Sequence, residues 1–144
     1  MQRRMLWTAA LAGALGLVVG IAVARTPYPP LEVLLQGNRT VLDQAIAYPA
    51  GVPEVTGAIV TMAPGQATGW HRHDAPLFAW VMEGEITVDY GSHGTRRYAA
   101  GDALLEAVGV AHDGTNTGDV PTRILVVFMG AEGVANTTTV DGPE

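Results

Sequence analysis

Of the side chains in this sequence that can bind a metal or move a proton, three histidines stand out by their spacing. His71 and His73 are separated by a single residue, and in an extended strand that spacing points both imidazoles to the same face, because side chains alternate along a strand. Two neutral ring nitrogens on one face supply half of a metal site. A solvated strand can carry the same pair without any metal. His112 lies far downstream, on a segment that a β-barrel can bring alongside the first, so that three imidazoles converge on one ion. The fourth histidine, His93, sits in a Gly-Ser-His-Gly turn and reads as exposed. The chain contains no cysteine, which excludes disulfides, iron–sulfur clusters and thiolate zinc sites. Lysine is also absent, which removes Schiff-base catalysis and the phosphate-binding lysine of nucleotide loops. Ser92 is the only serine and has no G-x-S-x-G context.

The elements that must position these histidines read as short strands. From Leu31 onward no long segment shows apolar residues at i, i+3, i+4 and i+7, whereas runs rich in Val, Ile and Thr recur. The expected strands are Val41–Ala47, Val55–Met62, Gly69–His73, Phe78–Tyr90, Thr95–Ala99, Ala103–Glu106, Ala111–Asn116 and Arg123–Phe128. Turn signals such as Ala63-Pro64-Gly65 and Ala100-Gly101-Asp102 separate them. Gly84, inside the long Phe78–Tyr90 run, suggests a bulge that bends the strand. Strands at this spacing point to an all-β sandwich or barrel.

Glycines frame the histidines in two blocks. The first is Gly65-QATGW-His71-Arg72-His73-DAP-Leu77-FAWVME-Gly84, and the second is Gly101-DALLE-Ala107-Val108-Gly109-VA-His112-DGT-Asn116. Together these blocks resemble the two motifs of the cupin family: Gly, five residues, His-x-His, three or four residues, Glu, six residues, Gly; then Gly, five residues, Pro-x-Gly, two residues, His, three residues, Asn. The resemblance covers residues 65–116 without a gap. It implies a single cupin double-stranded β-helix, a jelly-roll barrel, over residues 36–135, with His71, His73 and His112 as ligands to one divalent transition metal (Fe, Mn, Ni or Cu). Ala107 replaces the motif proline, and Gly109 keeps the turn. Leu77 stands where the family has a metal-binding Glu, and Leu cannot bind a metal. The resemblance then implies a three-histidine site with open positions, as in the thiol dioxygenases, or a degenerate polar pocket in which the histidines only form hydrogen bonds.

Glu106 is the candidate replacement carboxylate. Alternation along the strand leading to His112 turns it inward, as a catalytic base or a group orienting a ligand, or else leaves it outward and solvated. Trp70, Phe78 and Trp80 are candidate walls of an apolar pocket, or core residues. Asn116 reads as a structural residue, Asp113 as a weak candidate to orient His112, and Glu83, Glu85, Arg96 and Arg97 as outward charges paired across strands.

Residues 1–24 place Arg3 and Arg4 before an uncharged stretch from Met5 to Ala24. This reads as a hydrophobic helix serving as a signal peptide or a membrane anchor, with Ala22-Val23-Ala24 matching a cleavage pattern. The charge asymmetry puts everything that follows outside the cytoplasm, periplasmic or extracellular. Residues 25–35 form a Pro-rich linker and residues 136–144 a polar tail. The formal charge of −6, or −8 without Arg3 and Arg4, argues against nucleic acid as a partner.

Three functions follow: an exported mononuclear metalloenzyme, oxygenase-like, acting on a small organic molecule; a non-catalytic small-molecule-binding protein; or a structural subunit of an envelope assembly. The family resemblance adds the expectation of a homodimer. Fold alone does not choose among them.

Overall fold

The computed structural model describes residues 29–143, and the expected N-terminal helix and its signal or anchor segment lie outside them. No helix among the described residues is long and apolar enough to cross a membrane. From Glu32 onward the chain forms a single unit. Its strands are β1 (Pro53–Met62), β2 (His71–Arg72), β3 (Leu77–Glu83), β4 (Glu85–Asp89), β5 (Thr95–Ala99), β6 (Ala103–Leu105), β7 (Asp113–Thr115), β8 (Thr122–Ala131) and β9 (Thr138–Thr139). They are assembled as a four-stranded sheet β1-β8-β3-β6, a three-stranded sheet β5-β4-β7 and the pair β2-β9. All pairings are antiparallel, as the all-β barrel reading requires.

Alternation explains the core. Leu77, Ala79 and Val81 of β3 are buried, as are Ile86 and Val88 of β4 and Ile124 and Val126 of β8. Ala79 lies opposite Val126 and Val81 opposite Ile124, so the inward residues of neighbouring strands meet directly. Burying each of the Leu, Val and Ile side chains stabilises the fold by roughly 1.5–3 kcal/mol.

Two strand expectations are corrected. The run Phe78–Tyr90 is two strands in two sheets, and the break is at Gly84, whose φ is 73°. A Cβ at Gly84 would come 2.7 Å from Thr122 Oγ1 and 2.8 Å from the Pro121 carbonyl oxygen, so the crossing between sheets has room only for glycine. The register shift falls between Val81 and Glu83 instead. Val41–Ala47 is a tight turn closed by a single bridge between Arg39 and Ala45. There the Thr40 hydroxyl accepts from the Leu42 and Gln44 amides, a local alternative that outcompetes strand pairing. The segment read as a polar tail contributes β9, which pairs with the strand that carries His71.

Candidate metal centre

The three histidines come from two segments held edge to edge. The His71 amide donates to the His112 carbonyl at 3.0 Å and the His112 amide returns to the His71 carbonyl at 2.8 Å. On the other side of His71 lies Thr139 of β9. His73 follows β2, and its carbonyl accepts from the Gly109 amide at 2.8 Å. Gly109 has a φ of 71°. The turn that lost the motif proline therefore keeps its glycine conformation and ties the second motif to the first.

The rings cluster tightly. Centroids of His71 and His112 are 4.4 Å apart, and His73 lies 5.0 Å from each. One ring nitrogen from each residue lies within 4.8 Å of the others. The three Nδ1 atoms are engaged with backbone carbonyls: His71 with Gly69 at 2.7 Å, His73 with Asn136 at 2.8 Å and His112 with Val110 at 2.9 Å. A carbonyl oxygen only accepts, so each Nδ1 carries the proton and each Nε2 keeps a free lone pair. Burial lowers the pKa of His73 to about 4, and the neighbouring imidazoles push the same way against the Asn136 carbonyl. His71 is lowered for the same leading reason, burial. Both rings are neutral at neutral pH, which is the form a metal requires. Three imidazoles, oriented through their second nitrogens and clustered within a few ångströms, fit a divalent transition ion.

The histidines lie on the wall of a cavity of about 280 Å³ inside the barrel. Leu77, at the position where the family has Glu, is buried against this cavity and supplies only apolar surface. Glu106 follows β6, is buried and lines the same cavity, so the inward orientation is the one adopted. Its Oε1 accepts from the Tyr90 hydroxyl at 2.8 Å and from the Ala107 amide at 2.7 Å. Tyr90 continues the buried parity of Ile86 and Val88 and stands 5.6 Å from His112, ring to ring. Burial and the Glu106 charge both raise the Tyr90 phenol, so it stays a donor. The Tyr98 phenol is raised as well, by burial first.

Of the aromatic wall expected from sequence, only Trp70 lines the cavity; Phe78 and Trp80 lie on the other face of β3 from Leu77, Ala79 and Val81. Phe128 and Tyr98 complete the wall, and Phe128 stands edge-on to His73 at 5.4 Å. His93 lies outside the cluster. Asp113 accepts from the Thr68 hydroxyl and does not orient His112. Asn116 is structural: its amide donates to the Met62 and Val120 carbonyls, and its Oδ1 accepts from Gly118. Glu83 pairs with Arg123 and Glu85 with Arg97, outside the cavity.

Sequence reasoning misses Tyr90, although its strand parity with Ile86 and Val88 is a signal that could have marked it. Nothing local marked Asn136, whose contribution to the site is a backbone carbonyl.

Comparison with known proteins agrees with this architecture. The cupin domain family matches residues 58–128, and the chain is a member of the cupin family. No curated protein matches the sequence. Among solved structures, the DMSP lyase DddQ from Ruegeria pomeroyi DSS-3 superimposes with a TM-score of 0.52 at 27% identity, over 60% of this chain and 43% of that one. An oxalate oxidase superimposes with a TM-score of 0.52 at 27% identity, over 62% of this chain and 51% of that one. Oxalate decarboxylase from Bacillus subtilis, described with Mn(II) centres, gives 0.50 at 24% identity over 60% of this chain and 24% of that one. The matched region thus spans about half or less of each of these relatives.

Proposed function

We propose that this chain is an exported metal-dependent cupin acting on a small organic molecule inside its barrel. One observation carries the reading: each of the three clustered histidines has its Nδ1 proton committed to a backbone carbonyl, so three Nε2 lone pairs remain for one ion. His71, His73 and His112 would hold the ion, taken from iron, manganese, nickel or copper. When bound, it would supply Lewis acidity and open positions for substrate or oxygen, because Leu77 contributes no ligand.

The chain's own residues do the rest. Met62, Val126 and Phe128 give the cavity apolar walls. Glu106 receives the substrate's proton at the oxygen that Tyr90 and Ala107 leave free, while those two donors hold the carboxylate in place. The Arg3 and Arg4 charges before the apolar stretch support export to the periplasm or beyond, with the N-terminal segment engaging the membrane. The edge position of β1, with Val55 and Ile59 exposed, supports a homodimer.

Elemental analysis of the purified full chain, beside a variant carrying His71→Ala and His112→Ala, tests the centre. We expect near-stoichiometric transition metal in the first and none in the second. An equal metal content in both, with both folded, rejects it. Oxygen consumption or turnover in a screen of small organic molecules separates the enzyme from a protein that only binds.

A further inference from the structure

The cavity's lining sets the charge and polarity of what can enter it. Among the described residues, no arginine lines it, and the chain has no lysine. Arg72, between the two histidines, turns the other way and lines a separate cavity with Ser92 and His93. Among the described residues, the one charged side chain on the wall is Glu106. Its Oε1 is saturated by two donors, and its Oε2 has no hydrogen bond from any described residue yet is not sealed off. The remaining wall is mainly aliphatic and aromatic. A dianion placed here would leave water for a carboxylate of its own sign, with no cationic side chain to offset the loss. The overall charge of −6 works against its approach as well.

From this we infer that the site takes an uncharged, largely apolar molecule carrying an N–H or O–H donor, which it directs to Glu106 Oε2, and that without an ion bound it excludes dianions such as oxalate. The inference names the substrate class of the metal-centred reading above, yet the wall that selects that class is present without the ion. Size follows from volume: a cavity of 150 Å³ holds benzene, so about 280 Å³ accommodates a bicyclic molecule such as indole.

The experiment is calorimetric titration of the metal-free full chain with indole, with indene, which has the same ring frame and no N–H, and with oxalate. We expect indole to bind about tenfold more tightly than indene, the scale of one hydrogen bond to a charged acceptor, and oxalate to give no measurable heat. Glu106→Gln sharpens the test. Tyr90 and Ala107 require an acceptor at Oε1, so the amide nitrogen must take the free position and present N–H where an oxygen stood. In that variant the preference for indole falls, and what remains is the share of the three histidine Nε2 acceptors on the same wall. Equal affinity of the wild-type chain for indole and indene overturns the inference, as does binding of oxalate or an unchanged preference in Glu106→Gln. If that variant does not fold, the wild-type pair decides. Metal content is measured on a reconstituted portion of the same protein. Metal uptake without an indole preference sinks the inference alone, whereas an indole preference without metal uptake sinks the metal-centred reading alone.

Discussion

The four-stranded sheet and the histidine strand are built by opposite means. In the sheet, β1 and β8 pair along ten residues each, and β3 beside them buries every second side chain. Period-two patterning with continuous ladders makes that region hold itself together. The strand that carries His71 has two residues. It is held by β9, by the reciprocal bonds to His112 and by the tie from Gly109 to His73. The contrast teaches where stability and function reside. The sheet is fixed by its long ladders and by what β3 and β8 bury, and the metal centre by the carbonyl each imidazole meets, two of them local and the one at His73 distant in the chain.

The sharpest way to break this contrast is to disturb the sheet. Val81 is fully buried opposite Ile124, so Val81→Asp leaves a charge with no partner in the core and costs at least about 4 kcal/mol. Urea denaturation measures it, and a loss under about 1 kcal/mol would show that the sheet is not what sustains the barrel.

Acid should act on the site region instead. His73 in the folded chain has a pKa of about 4 against 6.5 unfolded. As pH falls the unfolded chain takes the proton first, so the stability from this residue is complete above 6.5, erodes down to about 4 and is flat below. The loss is on the order of 3 kcal/mol for the metal-free chain, with His71 adding in the same direction. Denaturation midpoints across that window check it; a pH-independent midpoint contradicts the buried neutral imidazole.

Gly84 joins the two regions. Gly84→Ala forces a side chain into a positive φ and against Thr122, at a cost of about 2 kcal/mol from backbone strain and crowding. Thermal unfolding should show a lowered Tm, and an unchanged Tm would mean the crossing can shift to accept a Cβ.

The smallest effect on stability should come from ending the chain at Ala135. That removes β9 and the Asn136 carbonyl that orients His73. Stability falls by only about 1 kcal/mol, while metal affinity falls 10–100-fold, as expected when a ligand loses its orienting partner. Competition with a chelator measures the affinity, and unchanged binding would show that the carbonyl does not set the ring's orientation.

Much of this was legible from residue order. The His-x-His spacing, the glycine framework and His112 identified the cluster, and alternation offered the inward position for Glu106 as one of two orientations. Other features were hidden for identifiable reasons. Val41–Ala47 has strand-like composition, but the Thr40 hydroxyl captures two amides and closes a turn. Phe78 and Trp80 sit beside the histidines in sequence, yet parity turns them away from the cavity. Asn136 acts through its backbone, which no side-chain pattern reveals.

Residue types and spacing by themselves determined the β class of the chain, the family motifs and the three candidate ligands, because periodicity and turn chemistry are local properties. Only the tertiary structure decided that His73 presents Nε2, that Glu106 faces the cavity and that, among the described residues, no cationic side chain lines it. Those features depend on contacts between residues far apart in the chain, such as Asn136 with His73 and Tyr90 with Glu106, and a contact of that kind exists only after the strands have closed into a barrel.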